Sequence, residues 1–308
     1  MTLSELYIRY LQKRDAPAAR ALAQALEPSQ PMTARFLAAY ALQGAHEGIV
    51  GDGPWQGARA WVGPQLPAAP SAGQIWFDTC EVGAMVLIPS EPPQADWAPE
   101  LVARWTPFLG WMSLRPVAVW QFQAYLDIPS KRWAKRSAKT AAASRTGHVP
   151  YDRARIQQLG GGGDQTGPVT GMTAVEAKAF ANWMGKWLPH QHEWQETRRL
   201  RPDAVDVLWN GLKKEWVGYP EPDDDEATAI SPATIDADLG DEHDAGEPPP
   251  PERRALYRYN DWSRSFGFRT FVHSQVGLVG KKMDPHAYKR SAGSRRKLLA
   301  TIIKEIKP

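Results

Sequence analysis

GPVTGMTAVEAKAFANWMGKWLPHQHEWQETRR, residues Gly167 to Arg199, followed after a short spacer by LWNGLKKEWVGYP, residues Leu208 to Pro220, decides how the rest of the chain is read. Thr173 suits a helix N-cap, and Glu176 three residues on completes a capping box. Ala177, Phe180, Ala181 and Met184 then recur at helical spacing, with Trp183 beside them. Gly185 is placed as the glycine that ends a helix. Leu188-Pro189 turns the chain, and Glu193, Trp194, Thr197 and Arg198 begin a second, shorter helix.

Working outward, three further blocks and the Lys214 to Pro220 part of the opening stretch keep a fixed order. Gly83 to Pro89 (GAMVLIP) holds a strand read over Met85 to Ile88 and ending at Pro89. Arg115 to Phe122 (RPVAVWQF) leads into a helix over Val119 to Leu126, with Val119, Phe122 and Leu126 inward. Lys214 to Pro220 carries Glu215-Trp216, and Phe266 to Arg269 reads FGFR. Together these blocks, over Gln74 to Phe271, resemble the formylglycine-generating-enzyme-like (sulfatase-modifying factor) family, whose domain is a variant of the C-type lectin fold. The resemblance implies an α+β domain over residues 71–275, in which Trp183, Trp194, Glu215, Trp216, Phe268 and Arg269 form the structural core of the motif. Arg269 is expected to pair with a buried carboxylate, Glu193 or Glu215, because a buried guanidinium needs one.

Residues 1–70 read as a small N-terminal helical module and linker. Leu3, Leu6, Tyr7, Tyr10 and Leu11 share one helical face. Pro17 opens a second helix with Ala21, Leu22, Ala25 and Leu26 inward. Pro31 and Thr33 open a third, through Phe36, Leu37, Tyr40 and Ala41. Three short helices bury little alone, so they dock either on the same chain or on a partner. Asp52 to Gly73, rich in Gly, Pro and Ala, looks like a boundary, although Trp55 and Trp61 suggest that part of it packs. Gln74 to Asp78 is expected to alternate as a strand, and Trp111 to Leu114 is a further strand candidate.

Charge is uneven although the net charge is only +3. Lys131, Arg132, Lys135, Arg136, Lys139 and Arg145 form a run without an acid. Residues 221–252 hold twelve carboxylates and no lysine or arginine, and are expected to be a mobile acidic insertion. Residues 276–308 form a basic tail with Arg295, Arg296 and Lys297, and with Leu298, Leu299, Ile302, Ile303 and Ile306 as an apolar stripe. The basic segments are candidate contacts for a protein partner or for nucleic acid, and the acidic run argues against one continuous basic face. Gly160 to Gly163 lacks the Gly-Lys-Ser/Thr of a phosphate loop and reads as a loop. The single cysteine, Cys80, the lack of a leader-like start and the lack of a long apolar run give a cytoplasmic expectation without a membrane segment.

The family's founding reaction oxidises a peptide cysteine with oxygen and a copper ion held by a close cysteine pair just before the GFR block. Soft thiolates suit cuprous ion. Here the matching stretch, Tyr257 to Ser265, has no cysteine. Related sulfoxide synthases use a histidine triad on a helical domain, where this chain has only His46. His190 and His192, with Glu193 or His243 as a third ligand, are weak metal candidates; solvent-facing substitution is the plainer reading. A structural calcium is compatible with the fold, and Asp223 to Glu226 could supply oxygens, but no cofactor is expected. The resulting expectation is a catalytically empty binding scaffold for a protein partner. The resemblance suggests an accessory factor in a bacterial defence or signalling system. The alternatives are a metal- or oxygen-dependent enzyme with a non-cysteine site and a nucleic-acid-binding accessory.

Overall fold

Alternate residues of the same strands build two apolar faces, and these set where the core lies. A computed structural model describes residues 1–51, 55–71, 73–90, 92–95, 99–102, 107–127, 165–172, 174–189, 193–194, 197, 214–217, 233–236 and 266–273. In chain order the elements are α1 (Leu3–Lys13), α2 (Ala16–Leu26), α3 (Pro31–Gln43), β1 (His46–Ile49), β2 (Arg59–Gly63), β3 (Ile75–Asp78), β4 (Gly83–Pro89), α4 (Pro99–Val102), β5 (Phe108–Ser113), α5 (Val119–Asp127), α6 (Ala174–Trp183), β6 (Lys214–Val217), β7 (Ala233–Asp236), β8 (Phe266–Phe268) and β9 (Phe271–His273). One sheet has the order β1-β2-β3-β4-β5-β9, antiparallel except for the parallel pair β2–β3. A smaller sheet, β7-β6-β8, pairs β6 antiparallel with β7 and parallel with β8.

In the larger sheet Ile75, Phe77, Ala84, Val86, Ile88, Met112 and Phe271 face the main core. Their neighbours Trp76, Met85, Leu87, Trp111 and Val272 face a second cluster. This is the period-two alternation of a pleated strand, with both faces covered. The alternation expected for Gln74 to Asp78 is therefore present in direction but absent in exposure, since all four residues of β3 are buried. At the sheet's far edge Gly110 pairs with His273. A Cβ there would come within 2.6 Å of the Phe271 ring. Gly110→Ala is expected to cost about 1–3 kcal/mol through overpacking, read as a lower urea midpoint at unchanged slope.

The three N-terminal helices form as the spacing predicts. Thr2 and Glu5 make a reciprocal capping box on α1, and Asp15 caps α2 just ahead of Pro17. The buried face of α2 differs from the expected one: Ala18, Ala19, Leu22, Ala23 and Leu26 are buried, whereas Ala21 is half-buried and Ala25 exposed. Alanine lies all round this helix, so periodicity alone does not fix its inner side, and packing between α1 and α3 does. The module docks on its own chain. Tyr7 donates to the Cys80 carbonyl (2.5 Å) and Tyr10 to the Thr79 carbonyl (2.9 Å). The Tyr7 ring meets Trp120 edge-on at 4.9 Å, and Phe36 stacks on Phe77 at 5.1 Å. Each fully buried apolar side chain is worth about 1.5–3 kcal/mol, against about 1 kcal/mol for a hydrogen bond, so apolar burial dominates the docking and the tyrosine hydroxyls orient it.

The linker expected at 52–73 contains β2, and β2 pairs with β3 across residue 70. The large sheet thus draws on both sides of the expected boundary, because β2 supplies alternating apolar residues, Ala60 and Val62, to the same core. The acidic insertion also differs from expectation in one place: Ala233–Asp236 forms β7, in register with Glu215 and Trp216 of β6. Its Thr234 and Ile235 are β-branched residues suited to a strand, and β6 offers an edge. The rest of 221–252 lies outside the described residues.

Helix α5 covers Val119–Asp127, but its inward face is Trp120, Gln121, Phe122, Ala124 and Tyr125, with Val119 and Leu126 only partly buried. Two neighbours cause the shift. Trp120 is claimed by α1, and Phe122 and Tyr125 by Phe180 of α6, at 5.6 and 5.3 Å. Helix α6 ends as the sequence indicates. Gly185 takes a φ of 70°, and the Lys186 N–H donates to the Ala181 carbonyl at 2.8 Å, the long closing bond of a Schellman turn. Thr173, its expected cap, lies outside the described residues.

Candidate functional site

The turn between β3 and β4, Thr79 to Val82, gathers more buried polar chemistry than any other described segment. Asp78 ends β3 and accepts from the Cys80 N–H at 2.9 Å, which closes the turn locally. Val82 has a φ of 58°, a left-handed conformation that β-branched residues rarely adopt and that persists only when the surroundings impose it. The surroundings here are ionic. Lys186 is delivered by the glycine turn after α6, and its ammonium sits 2.9 Å from Asp78 and in a short contact with Glu81. All three side chains are essentially inaccessible, at 0%, 0% and 2%. Thr270 donates its hydroxyl to the Glu81 carboxylate (2.9 and 3.0 Å), and the Gln121 amide donates to the Glu81 carbonyl (2.7 Å). The other end of that amide accepts from the Ala118 N–H and caps α5. The lysine also touches Met85 sulfur at 3.1 Å and lies 5.4 Å over the Trp76 ring.

One residue further on, Cys80 is buried and accepts a 3.1 Å hydrogen bond from the Arg14 guanidinium, held by the left-handed C-cap of α1. Burial opposes the Arg14 charge most strongly, but Cys80, Tyr10 and Tyr7 together outweigh it and push the guanidinium up. Burial, and after it the Glu81 charge, pushes the Tyr7 phenol well up, so it remains a donor to the turn.

A second ionic centre joins the two sheets. Arg269 follows β8 and donates its Nε to Glu215 of β6 at 2.9 Å, while Nη1 donates to the Leu114 carbonyl at 2.5 Å. Trp194 donates its indole N–H to the other Glu215 oxygen at 3.0 Å. Burial raises the Glu215 carboxyl above the ordinary glutamate range, although Arg269 and the Trp194 N–H pull it down. Of the two carboxylates expected for Arg269, Glu215 is the one it meets. The Trp183 ring meets Tyr125 at a tilt, centroids 5.1 Å apart, Trp216 donates to the Met172 carbonyl at 3.1 Å, and Phe268 lies 5.6 Å from Phe180. Trp194, Trp216 and Phe268 share one apolar core.

Of the metal candidates only Glu193 is described. It is buried, and its carbonyl accepts from the Thr197 hydroxyl. His190, His192, His243, Lys131, Arg132, Lys135, Arg136, Lys139, Arg295, Arg296 and Lys297 lie outside the described residues, as do Gly160 to Gly163, Tyr257 to Ser265 and the tail. Among the described residues there is no group of three His, Cys, Asp or Glu able to hold a metal ion, and no helix is long and apolar enough to cross a membrane. Sequence reading passed over Lys186, Asp78, Glu81, Arg14 and Thr270. The one signal for Lys186 was a charged residue set between the helix-ending Gly185 and the apolar Trp187-Leu188.

Residues 79–216 match the family model of the sulfatase-modifying factor enzyme 1-like domain. The matched segment opens in the Thr79–Val82 turn and closes at Trp216, beside Glu215. No curated protein and no solved structure matches the chain.

Proposed function

We propose, with the sulfatase-modifying-factor-like domain of residues 79–216 as premise, that the chain is a binding scaffold on a C-type lectin-like framework, with a protein partner and without oxidase chemistry. One observation carries the reading. The family's copper needs two thiolates, and this chain has a single sulfhydryl, Cys80, buried against a guanidinium. A cation already occupying the sulfur's polar side is the opposite of a soft-metal site, so the residues do not fit that ion. The motif's charged residues support the same reading. Glu215 and Arg269 neutralise each other in the interior, and Lys186 is spent on Asp78 and Glu81, so these groups hold the framework together. Framework rigidity of this kind suits a protein that binds through its loops.

The test combines two readouts on the full chain. Incubation with cuprous ion, oxygen and a cysteine-containing peptide is expected to leave the peptide thiol intact. Affinity capture with and without residues 276–308, over a series of salt concentrations, is expected to retain one protein in stoichiometric amount. Conversion of the thiol to an aldehyde, or capture of nothing beyond background by either form, overturns the reading. Capture of nucleic acid with a steep salt slope instead selects the accessory alternative.

A further inference from the structure

We propose that the cleft between the N-terminal helices and the β3–β4 turn binds a small oxyanion, the carboxylate or phosphate group of a ligand, through the Arg115 guanidinium. The cleft has a volume of about 230 Å³. Its walls come from the start of α3, the Glu81–Ala84 turn, the segment after β5 and Thr166–Pro168, so it exists only because the helical module docks on the domain. Gln30 ties two walls together by donating to the Thr166 carbonyl at 3.3 Å.

The charges lining this space are unequal in their availability. Glu81 is committed, since its carboxylate oxygens take Thr270 and Lys186. The Gln121 amide is committed at both ends. Arg115 is not. No carboxylate pairs with it among the described residues, and its Nε is buried without a hydrogen-bond partner. A guanidinium N–H removed from water and left unbonded is costly, and a carboxylate or phosphate accepting two parallel bonds is the group that best satisfies it. Burial pushes Arg115 down from its ordinary range. The first turn of α3 borders the same space, and its N-cap, Gln30, places no side-chain oxygen on that turn, which leaves the local field favourable to negative charge. The volume admits a compact group and excludes a folded partner. The inference stands whether or not the chain also holds a protein.

Titration calorimetry of the full chain with inorganic phosphate and, separately, with acetate tests this, each against chloride at equal ionic strength. Saturable binding of phosphate, acetate or both is expected, and the preference between them identifies the group. Arg115→Gln is expected to weaken it roughly ten- to a hundredfold, the worth of charge-assisted bonds, and Arg115→Lys to retain part of it. Met32→Glu sets a carboxylate on the same cleft without removing a polar bond, and is expected to weaken binding with the melting transition kept. No saturable binding by the unaltered chain overturns the proposal. So does binding by either Arg115→Gln or Met32→Glu equal to that of the unaltered chain.

Discussion

Replacing Lys186 by methionine is expected to remove about 3–5 kcal/mol of stability, the cost of breaking a buried ion pair by deleting one partner. Methionine nearly matches the lysine stem in volume, so the loss reads charge and not a cavity. Asp78 and Glu81 would be left with their oxygens in the interior and without the ammonium that now bridges them. Total stabilities of about 5–15 kcal/mol make this a large fraction, visible in urea titration as a shifted midpoint. A triple variant, Lys186→Met with Asp78→Asn and Glu81→Gln, is expected to recover much of the loss, since a neutral polar cluster no longer strands a charge. A single-variant loss below about 1 kcal/mol, the scale of an exposed pair, would mean that the network is hydrated in solution.

Arg269→Met is expected to cost a similar amount at neutral pH, about 3–5 kcal/mol, with a pH dependence that identifies its cause. Glu215 already sits above the ordinary glutamate range, because burial raises it more than Arg269 and the Trp194 N–H lower it. A carboxyl raised in the folded state contributes stability below its unfolded pKa, about 4.3. That contribution is lost as pH rises through the folded pKa. Removing Arg269 takes away the larger lowering influence, so the folded pKa climbs and the loss extends to higher pH. The stability gap between the variant and the unaltered chain should therefore be smallest near the unfolded glutamate pKa and widen toward neutrality. A gap independent of pH would place the cost in the lost bonds to the Leu114 and Ser113 carbonyls and not in the stranded carboxylate.

Much of the framework was legible in the chain. The 3.6-residue recurrence of Ala177, Phe180, Ala181 and Met184 gave α6 its inner face, and all four are buried. The strand read over Met85 to Ile88 lies inside β4, which starts two residues earlier at Gly83. The partner of Arg269 was narrowed to two carboxylates, one of which it meets. The inner faces of α2 and α5 were less legible. An alanine-rich helix has no distinctive side, and a helix gripped by α1 and α6 at once buries more than one stripe can indicate. The strand in the acidic run was hidden for a different reason: composition averaged over 221–252 masks a four-residue strand with only two β-branched residues, Thr234 and Ile235.

By itself the sequence determined the local elements and the absence of a second cysteine, because helix caps, period-two and period-3.6 spacing and residue counts are short-range properties. Only the tertiary structure decided which charges meet. Lys186 finds Glu81 across 105 residues, Thr270 reaches the same carboxylate across 189, and Arg14 finds Cys80 across 66. Such pairings depend on where the sheets and the docked helices bring distant turns together, and no local pattern in the chain carries that information.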